Sequence, residues 1–417
     1  MKRLWLKPLA LILLTAGVCL LAVIPGLTEP VKQPNRGELR EAVARQGQDN
    51  NAFAFDLFSK LRTQSGNLFC SPFSIRVALG MTYGGAAGNT AKEMNQVLRA
   101  QATDFHLALG ALGRELRPTD AKPAYQLNVA NSIWLQKNFP LRDEFTQLLQ
   151  KNYGSSAQTV DFETALEGAR TTINQWVETQ TNDRIKNLIP AGALDPDTKL
   201  VLTNAIYFKG RWAEIFKKEN TQEEPFFVGV DKQVKIPLMR QTDTFFYHET
   251  EQLQLVRLRY TQCPLEMVLL LPRLKAGLPE VEKAVTAESF ADWIKQSQNA
   301  DVSLFLPRFT MTGMFELKNT LGGMGMAEAF SNAADFSGIT SVRKLKIDRV
   351  IHKAFVDVNE EGTEAAAATA VTMMPTSAAP VRRQHYTFRA DHPFLVAIRD
   401  RSSGAILFLG RCADPSQ

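Results

Sequence analysis

The chain has 417 residues, of which 45% are hydrophobic and 22% charged, enough for a large buried core and inconsistent with a chain disordered throughout. Its formal charge is +5, and a leader carrying Lys2, Arg3 and Lys7 accounts for three of those positives, leaving +2. That balance implies no nucleic-acid partner.

Residues 1–26 read as a signal peptide: a basic start (MKRLWLK), a short apolar run (LALILLTAGVCLLAV) and a turn at Pro25-Gly26. The expected destination is extracytoplasmic, secreted or periplasmic. The alternative, an N-terminal membrane anchor, would need about 20 apolar residues, more than the run offers. Val18 before Cys19 does not fit a lipidation signal, and the missing N-x-[ST] sequon favours a bacterial source. Beyond the leader remain Cys70, Cys263 and Cys412, an odd number without C-x-x-C spacing, so buried thiols are expected.

Residues 27–48 are polar and read as a linker, after which Phe53, Leu57, Phe58 and Leu61 fall at helical spacing. Thr90-Ala-Lys-Glu93 matches a capping box and predicts a second helix starting there. Asp104 to Leu116 predicts another. Between Tyr125 and Gln136 the period drops to two, with Leu127, Val129, Ile133 and Leu135 on one face and Asn131 interrupting it, which predicts a strand. Short apolar runs at 200–208, 265–271, 302–306, 350–358, 394–398 and 405–410 predict buried strands, the last two joined by a hairpin loop at Asp400 to Gly404. With helices crowding the first half and strands the second, one α+β domain over 49–413 is expected. At roughly 365 residues it exceeds the usual domain size.

Signatures of catalysis are missing: there is no G-x-S-x-G elbow, Walker loop, H-E-x-x-H pair or dinucleotide fingerprint. Leu321-Gly-Gly-Met-Gly-Met326 lacks the third glycine of a nucleotide loop, follows a predicted helical segment and reads as a helix end or loop. His248-Glu249 reads as a surface pair. Histidines 106, 248, 352, 385 and 392 are too scattered to build a metal cluster or triad by local spacing. Neither catalytic residues nor a metal or cofactor are expected.

The stretch EEGTEAAAATAVTMMPTS, Glu360 to Ser377, has two local readings: a marginal helix capped by Thr363, or a low-complexity linker. Its surroundings point elsewhere. VIHKAFVDVNEEGTEAAAATA resembles the hinge of the serpins, serine-protease inhibitors that trap their target by inserting a loop. NLFCSPFSIRVALGMTYGGAAGNT, LTNAIYFKGRW, ADFSG and FRADHPFLVAIRDRSSGAILFLGRCADP continue the resemblance in the family's order, covering nearly the whole chain from Asn50.

The resemblance implies a central, mostly antiparallel sheet with further sheets, about nine helices and an exposed reactive-centre loop over about 360–385. It makes Glu360, Gly362, Thr363, Ala365, Ala366, Ala367, Ala368 and Thr369 the hinge, whose small side chains could slip between strands. It places the cleaved bond sixteen residues after Glu360, at Thr376-Ser377, where Pro375 and a small β-branched residue suit an elastase-like protease. Arg382-Arg383 offers a second conceivable cut, expected to give simple turnover. Ser71, Ser74, Asn204 and His352 match the polar cluster beneath the sheet opening, Glu360 and Arg308 a charge pair at the loop entry, and Trp212 the tryptophan nearby. The expected partner is a serine protease held in a covalent acyl complex by a monomer. A non-inhibitory serpin, a carrier, chaperone or storage protein, is the alternative. The basic run Arg343, Lys344, Lys346, Arg349 and Lys353 reads as a solvated strand edge.

Overall fold

A computed structural model describes residues 35–118, 123–229, 232–341, 344–363 and 384–417. Helix α1 (Arg36–Leu61) starts where Asn35 caps it: the Asn35 side chain accepts from the amides of Gly37 and Glu38, and Glu38 accepts from the Asn35 amide. The stretch expected as a polar linker at 27–48 is therefore helical from Arg36 onward. Its polarity misleads because a single face turns inward, burying Ala42, Val43, Gln46 and Gly47.

After β1 (Leu68–Cys70), Ser71 caps α2 (Pro72–Tyr83), with Pro72 in the first turn where its missing amide costs nothing. Helix α3 (Gly88–Leu98) begins two residues before Thr90, and the expected Thr90/Glu93 capping box does not form. Thr90 is buried and spends its hydroxyl on tertiary partners, donating to Glu328 and accepting from the Asp335 amide, while Glu93 accepts from the Glu328 amide. Helix α4 (Phe105–Glu115), strand β2 (Tyr125–Gln136), helix α5 (Asp143–Tyr153), strand β3 (Gln158–Val160) and helix α6 (Leu166–Gln180) complete the helix-rich half.

Strands dominate the rest. β4 (Leu200–Arg211), β5 (Gln222–Phe227), β6 (Gln233–Glu249), β7 (Leu253–Arg259) and β8 (Leu265–Pro272) precede α7 (Leu278–Ala284) and α8 (Ala287–Gln296). β9 (Gln298–Pro307) and β10 (Phe309–Glu316) lead to α9 (Lys318–Leu321), which runs into an irregular turn at the Gly-Gly-Met-Gly stretch with Gly325 at φ 119°. β11 (Arg349–Asn359), β12 (Gly362–Thr363), β13 (His385–Arg389), β14 (Phe394–Asp400) and β15 (Ile406–Cys412) close the chain. The β14–β15 loop closes with the Gly404 amide on the Asp400 carbonyl, the expected hairpin.

The strands form two sheets. One runs β1-β15-β14-β8-β7-β6-β9-β13, with β5 also paired to β6; the other runs β10-β11-β12-β4-β2-β3. The nine α-helices among the described residues and the mostly antiparallel pairing match the α+β architecture expected. In the six-stranded sheet the parallel exceptions are β2 on β3 and, more telling, β11 on β4.

One large apolar core lies between the sheets and under α1 to α4. A second, smaller one pins α6 to the outer face of the six-stranded sheet: Ile173 and Val177 of α6 meet Trp134 of β2, Val201 and Ala205 of β4 and Ile351 of β11. α6 thus straddles the seam between β4 and β11 on a cluster of its own. No described helix is long and apolar enough to cross a membrane.

Candidate functional site

β11 and β4 run parallel and touch from Arg349 opposite Val201 to Phe355 opposite Tyr207. Beyond that they diverge, and β12 fills the wedge antiparallel to both, Thr363 between Val358 and Gly210, Gly362 between Asn359 and Arg211. The turn into β12 depends on glycine. Gly362 sits at φ 153°, and a Cβ there would lie 2.1 Å from the Gly210 carbonyl oxygen.

Side chains from four separate segments lock this corner. Thr363 is fully buried, and its hydroxyl lies 2.8 Å from the Tyr260 phenol oxygen. The Tyr260 ring stacks on Trp212 at 4.7 Å between centroids. Trp212 Nε1 donates to the Asn359 carbonyl at 2.9 Å, and its backbone amide donates to the Glu361 carbonyl at 3.0 Å. Arg308 Nε donates to both Glu360 carboxylate oxygens, at 2.7 and 2.8 Å, its Nη2 donates to Oε1 as well, and the Thr221 hydroxyl adds a fourth bond at 2.6 Å. Burial by itself would raise the Glu360 carboxyl, but the bonds from Arg308 and Thr221 outweigh it and hold the group below its ordinary range.

Lower on the seam a polar network crosses the sheet. His352 on β11 accepts the Ser71 amide at Nε2, 3.0 Å away, so that nitrogen carries no proton; Nδ1–H is left to donate to Asn204 Oδ1 on β4. Asn204 Nδ2 donates to Ser74 Oγ at 2.6 Å and to Asn131 Oδ1 on β2, and Ser74 Oγ donates to Asn131 Oδ1 at 2.9 Å. Ser71 Oγ ties the network to the Leu407 carbonyl at 2.6 Å. His352 is wholly buried, and desolvation pushes its pKa down to about 3, so the ring is neutral near pH 7. The bond between His352 and Asn204 spans β11 and β4, and the two strands cannot part without breaking it.

The structure therefore brings Ser71, Ser74, Asn204 and His352 into one network, and Glu360, Gly362, Thr363, Arg308 and Trp212 into another. Ala365, Ala366, Ala367, Ala368, Thr369, Thr376 and Ser377, with Arg382 and Arg383, lie outside the described residues. Three participants escaped the sequence. Asn131 was visible only as a polar break in an apolar strand face, while Tyr260 and Thr221 left no local signal because their partners are over a hundred residues away. Cys70, Cys263 and Cys412 are buried free thiols, and burial raises the first two to about 12.

Comparison with known proteins accounts for this architecture. Residues 48–415 match the family model described as "Serpin (serine protease inhibitor)". The chain is 39% identical to Serpin B4 of Homo sapiens over 386 residues, covering 88% of this chain and 98% of that protein. It is 40% identical to the leukocyte elastase inhibitor of Homo sapiens, with coverages of 88% and 98%. Among solved structures, human thyroxine-binding globulin complexed with thyroxine is 28% identical and superposes with a TM-score of 0.81 over 90% of this chain and all of that one. With the family model spanning nearly the whole described fold and relatives near 40% identity end to end, this chain belongs to the serpin family, a family of protease inhibitors with carriers among its members, and not of catalysts.

Proposed function

We propose that this protein is an exported serine-protease inhibitor that acts once per molecule, and that the seam between β4 and β11 is the slot into which its cleaved loop moves. The observation that carries this reading is β12: a short strand already seated between two parallel neighbours, antiparallel to both, and followed in sequence by the alanine run. A strand added there replaces one parallel pairing with two antiparallel ones, and antiparallel ladders are slightly more stable per residue.

In the proposed sequence of events the protease serine attacks the Thr376 carbonyl. The Thr376–Ser377 bond breaks, the Ser377 amine leaves, and an ester joins Thr376 to the enzyme. The freed segment then extends β12 down the slot. The His352–Asn204 bond opens and α6, held by its separate small core, yields to let the sheet expand. If about ten residues each gain ~1 kcal/mol net, the insertion is downhill by on the order of 10 kcal/mol. That rivals the whole stability of an ordinary domain, so the intact state is kinetically trapped. Ala365 to Ala368 offer no bulk to resist entry, and the pairing of Pro375 with Thr376 suits an elastase-like enzyme. A relative that carries elastase inhibition in its name supports that target class. The leader at 1–26 supports export.

Mixing the protein with an elastase and resolving the products in SDS tests the reading. A stable band of summed mass is expected; cleaved loop with fully active protease would overturn it. That second outcome would favour a carrier, a reading supported by the thyroxine-bound neighbour.

A further inference from the structure

The closed part of the β4–β11 seam ends at a bracket made by one residue. Asp348, immediately before β11, accepts the main-chain amides of Lys199 and Leu200 on the same oxygen, Oδ2, at 2.7 and 3.0 Å, and its own amide donates to the Leu200 carbonyl at 2.9 Å. The amide and the carbonyl of Leu200, the first residue of β4, are thus both spent on Asp348. The Lys199 ammonium is turned elsewhere, donating to the Pro196 carbonyl and lying 3.8 Å from Glu163. Hydrogen bonds accepted by a carboxylate are stronger than those between neutral main-chain groups, so the bracket holds more tightly than an ordinary rung of the sheet.

Register puts this bracket in the path of an inserting strand. Val358 and Gly210, which flank Thr363, stand 148 positions apart (358 less 210), and so do Arg349 and Val201 at the bottom of the closed seam (349 less 201). β4 and β11 therefore need only separate, without sliding, to admit a strand between them. A strand that continues β12 antiparallel to both moves one place down each side per residue. Met373, ten places after Thr363, would then come opposite Leu200 and Asp348, ten places before Gly210 and Val358. We propose that Asp348 is the latch at the foot of the seam, a positioning residue that the strand displaces last, which presupposes that the cleaved loop inserts as described under the proposed function. The acylated Thr376, three places beyond Met373, clears the foot of the sheet only when the Asp348 carboxylate releases the two amides.

The test compares the melting of the full-length wild type and Asp348→Ala, each intact and after a metalloprotease, which forms no acyl ester, has nicked the loop C-terminal to Met373, with the cut located by mass spectrometry. The latch is closed only in the intact form. Asp348→Ala should therefore lower the melting temperature of the intact protein by about 2 °C or more and leave that of the nicked protein unchanged, because the inserted strand has by then taken the place of the latch. Hydrogen exchange at the Lys199 and Leu200 amides of the intact protein should be faster in the variant. An aspartate with a merely structural role would shift both forms alike. Should Asp348→Ala fold poorly, Asp348→Asn, which keeps an acceptor oxygen without its charge, decides by the same comparison with a smaller shift. A wild type that melts no higher once nicked would overturn the insertion reading and the latch with it. A wild type that does gain on nicking, with the variant lowered equally in both forms or unchanged in the intact one, would overturn the latch alone.

Discussion

Replacing Thr363 by arginine tests whether the wedge between β11 and β4 is the starting point of insertion. In the intact protein β12 makes two register pairs on each side, worth together about 4 kcal/mol at ~1 kcal/mol each. The arginine would have to place its guanidinium where Thr363 is fully buried, against the Tyr260 phenol beside the Trp212 ring. Burying an unpaired charge costs several kcal/mol even after relaxation, and the lost bond leaves the Tyr260 phenol unpaired for about 1–3 kcal/mol more. The penalty exceeds the gain, so β12 should leave the wedge and a cleaved loop should fail to re-enter. Incubation with a protease that cuts the loop, followed by SDS electrophoresis and residual-activity measurement, reads the outcome. The wild type should give the covalent band; Thr363→Arg should give cleaved chain and active enzyme. Thr363→Val, which loses only the hydroxyl, should keep most of its inhibition. Retention of the covalent band by Thr363→Arg would refute the reasoning, because no entry path through this wedge tolerates that side chain.

Cleavage alone, by any enzyme that nicks the loop, should raise the melting temperature markedly, and scanning calorimetry of intact and nicked samples checks it; equal melting would remove the basis for trapping. Gly362→Ala should expel β12, since the added methyl would meet the Gly210 carbonyl, and faster hydrogen exchange at the Gly210 and Asn359 amides would report it. Arg308→Ala leaves the buried Glu360 carboxylate with Thr221 alone and should cost about 3 kcal/mol, read as a lower urea midpoint; Arg308→Lys should recover only part, because the bidentate geometry is lost. His352 binds its proton far more weakly folded, at about 3, than unfolded, at about 6.5. Its share of stability is therefore complete above pH 6.5 and falls by about 1.4 kcal/mol per unit as pH drops from there toward 3. His106, depressed to about 4 by burial, acts in the same sense, so the test is the difference in slope between wild type and His352→Gln.

Much of the fold was legible where packing is local. β2 spans the same residues as its period-two pattern, and the apolar runs of β4, β8, β11, β14 and β15 mark strands buried in the middle of sheets. β6 was not read as a strand: it carries Pro237 and nine exposed or half-exposed polar residues because much of it faces solvent, so neither alternation nor a continuous run stands out. The start of α1 was hidden by its polar outer face, and the Thr90 motif imitated a cap because a buried hydroxyl serving distant partners looks the same in one dimension. At the site, the pairing of Arg308 with Glu360 and the grouping of His352 with Ser71, Ser74 and Asn204 followed from motif resemblance. Tyr260 could not, since its meaning arises only when β7 brings it beneath residue 363.

The closed lower part of the β4–β11 seam has a mechanical consequence. If the loop inserts as proposed, each residue entering from the wedge would give up one rung and gain two, so work would be released step by step along the path and not in one terminal event. At ~1 kcal/mol per advance of ~3.4 Å, the segment would pull with a steady force of roughly 20 piconewtons. A load tethered to its end would feel that tension throughout its travel, and the stroke would stall wherever a single rung cannot be exchanged.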